Sequence, residues 1–132
     1  MHMAVRNTLM LVDDDTSARN GYEAYLSAKG FHVHVFGGGA DALACAASLR
    51  PDLVVLDLGL PDVDGWEVAR QLKRDAHTKD IPIIAFSGRS MKHEQMSALR
   101  AGCDLHLTKP CPPAQLLGAI DKLLAAKSQD QP

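Results

Sequence analysis

Five short apolar runs alternate with amphipathic segments along the chain. The runs Thr8–Val12, Phe31–Phe36, Leu53–Leu56, Ile81–Phe86 and Asp104–Leu107 are rich in Val, Ile, Leu and Phe and read as strands. Helical patterns of about 10–15 residues lie between them, which is the signature of βαβ units and a parallel sheet. Nothing in the pattern marks an internal repeat, a low-complexity stretch or a linker to a second domain.

The residues between the runs predict where helices start and stop. Asp15 or Thr16 is placed to cap the first helix, and Gly30 closes it after Lys29. Asp41 to Leu49 reads as a short helix ended by Arg50-Pro51. Asp64 is placed to cap a helix carrying Trp66, Val68, Ala69 and Leu72 on one stripe, with Trp66 packing on that face. Ser90 is the candidate cap for Met91 to Ala101, which stops at Gly102. Pro112 and Pro113 suit the first turn of a last helix, Ala114 to Ala126, because the amide that proline lacks has no partner there. Gly37-Gly38-Gly39 lacks the pattern of a phosphate-binding loop and reads as a mobile strand-to-helix loop.

Composition narrows the class without naming a function. The chain has 132 residues, 46% hydrophobic and 23% charged, as a soluble single domain would have. Residues 8–126 are expected to form it. Residues 1–7 are expected to be a disordered or cloning-derived N-terminus, and residues 127–132 a flexible tail. A net charge of −2 leaves no basic footprint for nucleic acid. No apolar segment reaches the roughly 18 residues of a membrane span. The expectation is a cytoplasmic protein, a monomer or weak homodimer. Cys45, Cys103 and Cys111 form no C-x-x-C pair and read as reduced, packing thiols. His32 and His34 share a strand face without a third ligand and read as solvent-edge histidines.

Chemistry enters at the ends of the runs. Asp13 and Asp14 follow the first run, Asp57 the third, Ser87 the fourth, and Lys109 comes after the fifth. In open parallel sheets, ligands lie beyond the carboxyl ends of the strands, and these polar ends obey that rule together. Any one of them alone would be an ordinary turn or cap. Together, three carboxylates ask for a cation: like charges 4 Å apart repel by roughly 4 kcal/mol at an effective dielectric of about 20. Hard oxygen ligands suit Mg²⁺, which keeps several waters and uses one or two carboxylates with phosphate. A carboxylate is also a nucleophile toward phosphorus. In such a site Lys109 and the Ser87 hydroxyl each meet one phosphoryl oxygen, and Gly88 leaves room for the donor.

The residues Leu11-Val12-Asp13-Asp14-Asp15, Leu56-Asp57-Leu58-Gly59-Leu60-Pro61 with Asp64-Gly65, Ser87-Gly88 and Thr108-Lys109-Pro110 occur in that order. In this the chain resembles a response-regulator receiver domain of two-component signalling, over nearly its whole length. The resemblance implies a flavodoxin-like α/β fold, a (βα)5 three-layer sandwich with sheet order 2-1-3-4-5. It implies Asp57 as phosphoacceptor, fed by a histidine kinase, a phosphotransfer protein or a small phosphodonor. Mg²⁺ would sit on Asp14, Asp57 and the Gly59 carbonyl, with Asp13 acting through water. A cis Lys109-Pro110 bond would aim the ammonium inward. Output to a downstream protein would run through the face of the fourth helix, fifth strand and last helix.

The sequence departs from that family pattern at 106. Where the family carries Tyr or Phe as a switch coupled to the hydroxyl at Ser87, this chain has His106. Imidazole is smaller and titrates near about 6.5, so the expectation is a looser switch that weakens as pH falls. Gly59, Gly88 and Arg89 stand where the family lines access to the phosphoryl group and tunes its lifetime. Two rival readings share some of these features. A phosphatase of the haloacid-dehalogenase type wants a second acid two residues after the nucleophile, where this chain has Gly59. A receiver-like module that works without phosphorylation has no use for the complete acid, hydroxyl and lysine set.

Overall fold

The computed structural model describes residues 7–88, 97, 99 and 101–129. Five strands form one parallel sheet: β1 (Thr8–Val12), β2 (His32–Phe36), β3 (Leu53–Asp57), β4 (Ile83–Ser87) and β5 (Leu105–Thr108). Their order is β2-β1-β3-β4-β5, as expected. Four helices are described: α1 (Thr16–Ala28), α2 (Gly39–Leu49), α3 (Gly65–Arg74) and α4 (Pro113–Gln129). The expected helix from Met91 to Ala101, with its cap Ser90, lies outside the described residues except for Ser97, Leu99 and Ala101. Its expected stop is seen: Gly102 has φ +104° and donates to the Leu99 carbonyl at 3.0 Å.

Alternate strand residues point to opposite faces, and both faces are covered, which is why the runs are apolar throughout. Met10, Val12, Val54, Leu56, Ile83 and Ala85 pack with Ala42 and Ala46 of α2 and with Val68, Ala69 and Leu72 of α3. Leu9, Leu11, Leu53, Val55, Ile84 and Phe86 pack on the other side with Tyr22, Leu26, Leu116 and Ile120. Trp66 is half-buried against the first cluster, on the helix face where the stripe puts it. The three cysteines are free thiols, and burial pushes Cys103 up to about 12, so it stays protonated. No described helix is long and apolar enough to cross a membrane.

Several boundaries differ from the sequence reading. Asp57 and Ser87 are the last residues of their strands, not the first residues beyond them. Phe31 closes α1 by donating to the Leu26 carbonyl at 3.2 Å, so β2 starts at His32. Ile81 and Pro82 precede β4, since Ile81 donates to the Thr78 carbonyl at 3.0 Å. Asp104 sits before β5, where its carboxylate takes the Ile83 amide at 2.8 Å. Gly39 belongs to α2 and is buried, so the triple glycine is not wholly a loop. The last helix continues through Lys127 to Gln129, beyond the expected stop at Ala126.

Candidate functional site

The carboxyl ends of β1, β3, β4 and β5 bring the expected residues together. Asp13 follows β1 with 1% exposure, and Asp14 beside it is exposed. Asp57 ends β3 with 8% exposure. One carboxylate oxygen each from Asp13, Asp14 and Asp57 lies within 4.8 Å of the others. Lys109, past β5, places Nζ 2.9 Å from Asp13 Oδ2 and 3.3 Å from Asp57 Oδ2. The Lys109–Pro110 peptide is cis. The Lys109 amide is anchored on the Ser87 carbonyl at 2.8 Å, which ties the lysine to the end of β4.

The three acids are held differently. Both oxygens of Asp13 are engaged, because Oδ1 accepts the Asp15 amide at 2.9 Å while Oδ2 accepts Lys109. Burial raises the Asp13 pKa, and the hydrogen bond from Lys109 only partly opposes it. For Lys109 the balance reverses. Burial alone would lower its pKa, but the hydrogen bond to Asp13 and the charges of Asp13 and Asp57 leave it raised, so it is an ammonium at neutral pH. Asp57 Oδ1 accepts the Gly59 amide at 2.9 Å. Asp14 stands at the open rim.

Ser87 is 5% exposed at the end of β4, in register with Thr108 of β5. His106 lies on β5 opposite Ala85, half-buried, with Nε2 3.3 Å from Ser87 Oγ. Its ring therefore reaches inward to the site residue with which the sequence reading coupled it. Gly88 has nothing within 4 Å of where a Cβ would be, which leaves open space beside Ser87. Arg89 lies outside the described residues.

Two residues near the site escaped the sequence reading. Arg19 donates from Nη1 to the Asp13 carbonyl at 2.9 Å. Asp62 accepts the amides of Gly39 and Ala40 at 2.9 and 3.1 Å. Local pattern marks neither: Arg19 looks like a solvated helix position, and Asp62 like a turn residue after Pro61.

Hard oxygens at this spacing fit a divalent cation that keeps part of its water shell. Comparison with known proteins agrees with the architecture. The family model for the response regulator receiver domain matches residues 9–121. The response regulator MprA of Mycobacterium sp. (strain KMS) is 37% identical over 123 residues, which cover 93% of this chain and 53% of that protein. The chain thus spans about half the length of the curated relatives it matches. A receiver domain protein (CheY-like) from Methanospirillum hungatei JF-1 shares the fold with TM-score 0.90 at 24% identity, over 96% of this chain and all (100%) of that one. The receiver domain of sensor histidine kinase PA1611 from Pseudomonas aeruginosa PAO1, solved with a magnesium ion coordinated in the active site cleft, has TM-score 0.85 and 26% identity, covering 92% of this chain and 99% of that one. Because the family model spans residues 9–121, most of its length, this chain belongs to the response regulator receiver domain family.

Proposed function

We propose that this receiver domain accepts a phosphoryl group on Asp57, from a histidine kinase, a phosphotransfer protein or a small phosphodonor in the cytoplasm. The observation that carries the reading is the shared ammonium. Lys109 Nζ lies 2.9 Å from Asp13 and 3.3 Å from Asp57, while Asp14 remains open at the rim. One acid is thereby held, one is poised and one is free for a cation. Bound Mg²⁺ would supply neutralisation of charge on the phosphoryl oxygens. Asp14, Asp57 and the Gly59 carbonyl are the ligands that the family resemblance implies, and the gathering of the two carboxylates supports that assignment. Asp13, with both oxygens already engaged, acts through water.

The residues divide the remaining work. A carboxylate oxygen of Asp57 attacks phosphorus in line, and the bond to the leaving group breaks with its electron pair going to that group. Lys109 then turns from the carboxylate to a phosphoryl oxygen, trading one anion for another. The Ser87 hydroxyl donates to a further oxygen. The modification changes the charge at Asp57 from about −1 to roughly −2. His106, 3.3 Å from Ser87 Oγ, feels any movement of that hydroxyl directly. It would carry the change to β5 and the helices beside it, the surface on which a downstream protein reads the state.

Acetyl phosphate with Mg²⁺ should add one phosphoryl group by intact mass, and none to Asp57→Asn. Comparable labelling of that variant sinks the assignment. An unlabelled parent points instead to an interaction module that needs no phosphorylation. In the labelled sample the His106 amide resonance should move, and its constancy would remove His106 from the switch.

A further inference from the structure

The proposed reaction gives Gly38 and Gly39, at the start of α2, no part, yet their missing side chains are used. A Cβ on Gly38 would lie 2.8 Å from Asp62 Oδ2. One on Gly39 would lie 2.7 Å from Val68 Cγ2 and 3.1 Å from Val63 Cβ. Asp62 and Val63 belong to the loop that joins Asp57 to α3. The glycines therefore let that loop lie directly on the start of α2.

The Asp62 carboxylate closes the contact. Oδ1 accepts the Gly39 amide at 2.9 Å and Oδ2 the Ala40 amide at 3.1 Å. These are first-turn amides that have no partner inside the helix. Gly38, at the cap position of this 11-residue helix, has no side chain to take them. The two bonds hold the Asp62 carboxyl down to about 2, so it faces the positive end of α2 as an anion at neutral pH. Elsewhere the loop is tied to the strands and helix it connects. The Leu58 amide donates to the Phe86 carbonyl at 2.8 Å, and Asp64 caps α3 through Trp66 N at 2.9 Å. Gly59 lies between these ties, three residues before Asp62.

We infer that Asp62 is a positioning residue for the cation site: by fastening the loop to α2 it holds the Gly59 carbonyl where Asp14 and Asp57 present their carboxylates. The inference rests on the reading of those three groups as Mg²⁺ ligands. Mg²⁺ demands near-octahedral geometry, so a ligand carried on a loosened loop binds it less well.

The test is an Mg²⁺ titration of the full chain, followed by amide resonances. Parent, Asp14→Ala, Asp62→Ala, Asp62→Asn and Asp41→Asn are compared. Asparagine at 62 keeps one acceptor oxygen, loses the charge and turns an NH2 group toward the other amide, so only one of the two bonds survives. Asp41→Asn removes an acid from the first turn of α2 without touching the loop. Asp62 is exposed, so its truncation leaves no cavity and the chain still folds. Asp62→Ala should weaken Mg²⁺ binding at least fivefold and speed hydrogen exchange at Gly39 and Ala40. Asp41→Asn should stay within twofold of the parent, and Asp62→Asn, with one bond of the clamp left, should fall between the parent and Asp62→Ala. If Asp41→Asn loses as much as Asp62→Ala, distant charge and not the clamp is responsible, and the inference is wrong. If Asp14→Ala loses binding while Asp62→Ala keeps it, the ligand reading stands and only this inference fails. A parent that binds no Mg²⁺ overturns both.

Discussion

Asp13 has 1% of its surface exposed and shares Lys109 with Asp57, whereas Asp62 stands in solvent and accepts two helix amides. Burial raises the first above 3.8, and the Gly39 and Ala40 amides lower the second to about 2. The two therefore act on stability with opposite signs. Asp13 binds its proton more tightly when folded, so its ionisation opposes folding above its native pKa, and that penalty fades as pH falls toward 3.8. Asp62 contributes stability above 3.8 that is lost as pH falls through about 2. Carboxyl carbon titration of the metal-free protein should give a midpoint above 3.8 for Asp13 and near 2 for Asp62. A shared midpoint at the ordinary value would mean that neither contact persists in solution. At this scale Asp13, Asp57 and Lys109 were legible because a charge at the end of an apolar run is conspicuous. Asp62 was not, because its partners are 22 and 23 residues away and a turn after proline explains it equally well.

Elements are legible where local chemistry decides them. Asp15 caps α1 through Ser17 and Ala18, Asp64 caps α3, and Gly30 with φ +101° ends α1, all as the residue types predict. Boundaries moved where a distant group took the hydrogen bond, as when Asp104 caps the start of β4. Arg50 closes α2 at φ +50°, a left-handed position where sequence reasoning looks for glycine. Glycines inside helices also need tertiary context. Gly21, exposed in α1, has open space where a Cβ would go, whereas a Cβ on Gly65 would lie 2.5 Å from Leu58 Cα and 2.8 Å from the Asp57 carbonyl oxygen. Propensity alone gives alanine an advantage of about 1 kcal/mol at Gly21, inside α1. Gly21→Ala should gain up to about that amount. Gly65→Ala should instead lose about 1–3 kcal/mol, because backbone beside Asp57 must move to admit it. Urea unfolding decides the signs, and a gain at both positions would show that α3 does not hold this close approach.

For the molecule as a whole, two apolar cores clamp the sheet from either face and leave the repulsion of three acids at the carboxyl ends of its strands. That arrangement follows from alternating strand faces and was readable as a class from the runs alone; the strand order came with the family resemblance. Three acids gathered within 4.8 Å strain the metal-free fold, and Lys109 relieves that strain only in part. Asp14 is the member to test, because it is exposed, makes no ion pair among the described contacts and leaves no buried partner when changed. Two like charges repel by about 1 kcal/mol at 4 Å in water and more where solvent is partly excluded. Asp14→Asn should therefore stabilise the metal-free protein by on the order of 1 kcal/mol, the usual direction when a functional charge is removed. In the parent, Mg²⁺ at ten times its Kd should add about 1.4 kcal/mol, because it binds the native state and not the unfolded chain. Chelation should return that increment. The variant should gain almost none of it, so the two melting curves approach or cross as Mg²⁺ is added. If instead Asp14→Asn is less stable without metal and gains as much from Mg²⁺ as the parent, Asp14 is a structural cap and the cation site lies elsewhere. The crossing separates a residue kept for binding from one kept for folding, since only the former weakens the empty fold.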